Sequence, residues 1–65
     1  MTATTTRYEV YRHDASIGVE ISLTAAYVRA RMAALATPGS YVIEREGACV
    51  ATLRSSGASL EVWIR

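Results

Sequence analysis

At 65 residues the chain is one domain, near the size at which folding buries only ~60% of the unfolded surface and a lone core is marginal. A net charge of +1 and 51% hydrophobic residues exclude a disordered polyelectrolyte, and a single cysteine (Cys49) with a single histidine (His13) excludes an internal disulfide and falls short of a zinc-ligand set. Small domains that lack both braces commonly gain stability from a partner subunit, so self-association is an expectation of size alone. All seven basic residues are Arg, and Lys, Asn, Gln and Phe are missing, a bias that GC-rich codon usage produces in a bacterial or phage genome.

Residues 1–6 (MTATTT) are polar and uncharged and are expected to form a flexible tail ahead of one domain over residues 7–65. No apolar run approaches the ~7–15 residues of a signal-peptide core or the ~20 of a membrane span, so a cytoplasmic protein without membrane contact is expected.

Residues 7–13 (RYEVYRH) alternate with period two, as a half-buried strand does, and residues 17–21 (IGVEI) alternate again. A turn at Asp14-Ala15 would set Val10 opposite Val19 and Tyr8 opposite Ile21, directing Ile17, Val19 and Ile21 to the same side as Tyr8 and Val10. A longer loop through Ser16 is the alternative, because Asp-Ala is poor chemistry for a two-residue hairpin.

The period then changes to that of a helix over residues 23–36 (LTAAYVRARMAALA), capped by Ser22 or Thr24 and stopped by Pro38-Gly39. Its apolar residues split between a Val28/Met32/Leu35 face and a face bearing Leu23, Tyr27, Ala30 and Ala34, with Arg31 between them. Ala26, Ala30 and Ala34 recur every four residues and permit close approach of another backbone. This predicts a helix sunk onto a sheet. A second contact through Tyr27, Ala30, Arg31 and Ala34, made with another subunit or a partner, is the competing expectation.

Period two returns in residues 40–46 (SYVIERE) and 48–54 (ACVATLR), a hairpin turning at Glu46-Gly47, and again in the last strand, residues 59–65 (SLEVWIR). Counting outward from the turn sets Ile43 opposite Val50 and Val42 opposite Ala51, and the loop of residues 55–58 sets Leu53 opposite Leu60 and Val50 opposite Trp63. The predicted fold is α+β, in the order ββαβββ: a mostly antiparallel sheet with one helix packed on one face. Whether the first strand joins the same sheet is left open by the pattern.

In that register Val42, Cys49, Ala51, Leu53, Leu60, Val62 and Ile64 lie beneath the helix. Tyr41, Ile43, Arg45, Val50, Thr52, Arg54, Glu61 and Trp63 lie on the uncovered side, with Tyr11 joining them if the first hairpin belongs to the sheet. An exposed group of Tyr41, Ile43, Val50 and Trp63 rimmed by Arg45, Arg54 and Glu61 suits a protein contact, since Tyr and Trp supply large area at little rotamer cost.

A small non-catalytic interaction or regulatory module is therefore expected, either a homodimer or a binder of another protein. The alternative is a small nucleic-acid-binding module using Arg and aromatic side chains, as base-stacking sheets do. The neutral charge balance of the face argues against it, because phosphate binding wants a positive excess. No catalytic residue, metal or cofactor is expected. Cys49 and His13, the one nucleophile-base combination, fall on opposite faces of the predicted sheet.

Overall fold

The computed structural model describes residues 6–65, so the expected tail lies, apart from Thr6, outside the described residues. The elements are β1 (Tyr8–Arg12), β2 (Ala15–Glu20), α1 (Leu23–Ala36), β3 (Gly39–Arg45), β4 (Ala48–Ser55) and β5 (Leu60–Ile64). All five strands form one antiparallel sheet in the order β2-β1-β3-β4-β5, with the helix across one face. The first hairpin is therefore part of the sheet, which places β1 between β2 and the central strand β3. None of the described helices is long and apolar enough to cross a membrane.

Turn chemistry sets the hairpins. Glu46 and Gly47 both have positive φ (53° and 83°), the geometry whose twist matches a two-residue connection. The first hairpin turns at His13-Asp14 rather than Asp14-Ala15, with His13 in the left-handed region at φ 56°. The helix starts where the Ser22 hydroxyl accepts from the Ala25 N–H (3.1 Å).

Two bulges then decide which side chains face the helix. On β4, Glu44 pairs with Cys49 and Ile43 with Ala51, so Val50 is an extra residue opposite no one. Beyond it the register differs by one from a straight count: Tyr41 pairs with Leu53 and Val42 with Thr52. A one-residue slip exchanges the faces. Tyr41 and Ile43, expected in the open, are fully buried, and Val50 packs against the same core. Arg45, two residues along from Ile43, follows to the helix side at the sheet's end. Cys49, expected beneath the helix, lies instead on the open side, its Sγ 3.6 Å from Thr52 Oγ1.

On β2 the extra residue is Ile17. It stays against the core, while Val19, expected to do the same, pairs with Glu9 on the open side and is exposed. Gly18 comes under the helix, where a Cβ would lie 2.6 Å from the Arg29 side chain, and Arg29 reaches over it to Glu20 (2.6 Å).

The core is Val10, Tyr41, Ile43, Ala51 and Leu53 from the sheet against Ala26, Ala30 and Ala34 from the helix. The three alanines are fully buried against the chain's own sheet, so Ala30 and Ala34 are not available to a second subunit; Tyr27 is half-buried beside them, and Arg31 alone of that group is exposed. Small side chains on this seam let the helix axis approach closely enough for the Tyr41 hydroxyl to reach the helix end. Its oxygen lies 2.6 Å from the Thr37 carbonyl and 3.1 Å from that of Ala33. The Ala33 carbonyl already accepts from the Thr37 N–H (2.8 Å), so the phenol proton serves Thr37, a group the helix leaves without an internal partner.

Two substitutions test this packing. Ala30→Leu should overpack the seam at a cost of about 1–3 kcal/mol. Tyr41→Phe should cost about 1 kcal/mol by removing one hydrogen bond. For a domain this small each kcal/mol lowers the melting temperature by roughly 4–8 °C, readable by circular dichroism.

Candidate interaction surface

The helix packs on β2, β1, β3 and β4, and β5 lies at its margin. The other side of the sheet has no cover among the described elements. Register pairs arrange that side in rows across the strands. The middle row runs Ser16, Tyr11, Val42, Thr52, Trp63. A row toward the Glu46-Gly47 turn carries Val19, Glu9, Glu44 and Cys49, and a row on the other flank carries Ser40, Arg54 and Glu61.

Of the residues expected at an interface, Tyr11, Arg54, Glu61 and Trp63 share this open side, and Tyr41, Ile43, Arg45 and Val50 do not. The centre is thus Tyr11, Val42, Thr52 and Trp63. Thr52 falls on this side in a straight count as well, but Val42 escapes one because the bulge at Val50 has no marker such as glycine in the sequence. Trp63 keeps its side because β5 is displaced by two residues from the simple count, pairing with Thr52 rather than Val50, and an even displacement preserves facing. Its indole is 48% exposed.

The charges on this side balance: Arg7, Arg54 and Arg65 against Glu9, Glu44 and Glu61. Their distribution is uneven. Glu9 and Glu44 are direct cross-strand neighbours, a like-charge pairing that costs energy unless other groups compensate. Glu9 is compensated. Hydrogen bonds from the Ser16 and Tyr11 side chains, the second at 3.0 Å, hold its carboxyl below the usual carboxylate range against a smaller opposing effect of desolvation. The Tyr11 phenol is correspondingly pushed up, first by that hydrogen bond, then by desolvation and by the negative charges of Glu9 and Glu44.

A second exposed apolar group lies on the outer face of the helix, where Val28, Met32 and Leu35 are each about half exposed or more. Between the helix and the β1–β2 side of the sheet runs an open groove of about 620 Å³ whose lining includes Arg12, Ile17, Met32 and Ala36. Among the described residues no three His, Cys, Asp or Glu side chains gather as a metal site. Cys49, on the open side, sits between Thr52 and the Ala51 carbonyl rather than beside a base, and His13 lies in the turn between β1 and β2.

Compared with protein-family models, curated proteins and solved structures, the chain matches none. Its surfaces have to be read from their own chemistry.

The Glu9–Tyr11 pair gives a pH signature. With its folded pKa depressed, Glu9 contributes stability that is present above its unfolded value and is lost as pH falls through the folded one; Tyr11, with its folded pKa raised, contributes below the ordinary value near 10 and loses this as pH rises through the folded value. Replacing Glu9 by Gln should bring the Tyr11 ionisation back toward its ordinary range, measured by NMR titration of the ring resonances. An unchanged Tyr11 titration would contradict the pairing.

Proposed function

We propose that this chain is a small non-catalytic protein-interaction module that self-associates, using the open side of its sheet. The observation that carries the reading is the one-sided cover of a five-stranded sheet. Its bare side presents Tyr11, Val42, Thr52 and a half-exposed Trp63 in one continuous row, flanked by balanced charge. Such a row exceeds the singly scattered apolar groups of ordinary surfaces. Aromatic residues at the centre with a mixed polar rim are the composition of protein contacts. The size of the chain adds weight, since burial against a second copy supplies what a 65-residue core lacks.

Nucleic-acid binding draws less support from the same surface. Arg45 and Tyr41, which would have served it, lie on the helix side, and the acidic neighbours Glu9 and Glu44 sit in the row flanking the centre of the open one. A neutral face releases few counterions on meeting a polyanion.

Sedimentation velocity at tens of micromolar distinguishes these readings. The proposal expects twice the monomer mass, falling to the monomer for Trp63→Ala with unchanged far-ultraviolet circular dichroism. A monomer that binds heparin, releases with modest salt and loses binding on Arg54→Ala would transfer the assignment to nucleic acid.

A further inference from the structure

Face-to-face burial of the open sides is one way for two copies to meet; the β5 edge offers another, which joins their open sides into one surface. Sheet edges expose unpaired N–H and C=O groups, and monomeric proteins blunt them with bulges, inward-pointing charges, Lys or Pro. The two edges of this sheet differ in that respect. β2 carries the Ile17 bulge and turns Glu20 inward against Arg29. β5 pairs with β4 in unbroken register from Leu60 to Ile64, with no bulge, no proline and no inward charge.

The ladder also tells which groups are free. Arg65 N–H donates to the Val50 carbonyl (3.0 Å), so Glu61, Trp63 and Arg65 turn their backbone groups toward β4 while those of Val62 and Ile64 point away from the molecule. Beside them Ile64 is 68% exposed, at the rim of an apolar depression formed with Leu23, Tyr27 and Ala51.

We infer that the occupant of this edge is a second copy of the chain, paired antiparallel through β5 with Trp63 on the two-fold axis. This rests on the self-association proposed above. Only registers displaced by an even number of residues keep free donors facing free acceptors and the two open faces on one side. With Trp63 opposite itself, Val62 meets Ile64 of the second copy, forming four backbone hydrogen bonds by symmetry. The same register sets Glu61 opposite Arg65 twice, so each copy supplies the charge the other needs. Shifting by two to put Val62 on the axis instead faces Glu61 with Trp63 and leaves Arg65 without a carboxylate. Charge complementarity therefore selects the first register. The result is a continuous ten-stranded sheet with both helices on one side and both indoles at the centre of the other.

Charge reversal at this edge is the test, using the full chain and sedimentation equilibrium. Glu61→Arg and Arg65→Glu should each weaken the dimer about tenfold or more, because each sets like charges opposite one another twice. The combined Glu61→Arg/Arg65→Glu chain should recover the original affinity, since both copies then carry the exchanged pair. Ile64→Pro should abolish the dimer by removing an outward N–H, with the monomer's circular dichroism retained because that amide serves no bond to β4. A dimer indifferent to all of these but lost with Trp63→Ala would overturn the edge pairing and leave association through the sheet face standing. A chain that stays monomeric at several hundred micromolar would overturn both.

Discussion

The arrangement of this domain depends on one unpaired residue in β4. Val50 stands opposite nothing in β3, and from that point outward every side chain of β3 takes the face it would not have had in a regular ladder. The consequence for the core is large. The regular register buries Val42 under the helix and turns Tyr41 and Ile43 to water, whereas the bulged one buries Tyr41, Ile43 and Leu53 together. At ~1.5–3 kcal/mol for each large apolar side chain removed from water, two such residues outweigh the ladder bond disturbed at the bulge.

That core is possible because the helix facing it is nearly smooth. Ala26, Ala30 and Ala34 project little, so the fully buried bulky side chains all come from the sheet, while Leu23 and Tyr27 of the helix pack at the margin. Tyr41 then ends the helix as well as filling the core, donating to the Thr37 carbonyl past the last turn. Val28, Met32 and Leu35 are left in solvent, a departure from the ordinary amphipathic arrangement in which the large apolar residues share one buried stripe. Alternating large and small faces across the seam let a single helix cover most of a sheet with little depth.

The element order and the ends of the helix were legible because period, turn residues and Pro38-Gly39 agree with one another. Facing was legible only in part. Trp63 was placed correctly although its partner was not, since a displacement of two leaves parity intact, while the displacement of one at Val50 reversed Tyr41 and Ile43. The bulge at Val50 is not announced locally, since valine is typical of regular strands, whereas the one at Ile17 adjoins Gly18, the kind of residue that marks bulges. The available signal was indirect. Tyr41, Ile43 and Leu53 are the bulkiest apolar residues of β3 and β4, and only an extra residue between them brings all three to one side. The Ala stripe gave two permitted readings, contact with the sheet or with another molecule, and burial of Ala30 and Ala34 selects the first.

The side left uncovered follows from the same parity. Once Tyr41 and Ile43 turn inward, what faces out is the row from Tyr11 to Trp63 with Arg54 and Glu61 at its flank, and the proposed role of the chain stands on that row. Cross-strand nuclear Overhauser contacts between β3 and β4 test the underlying assignment most directly. The account predicts backbone contacts joining Tyr41 with Leu53 and Val42 with Thr52. Contacts joining Tyr41 with Thr52 and Val42 with Ala51 would contradict it, returning the tyrosine to water and dismantling the surface described.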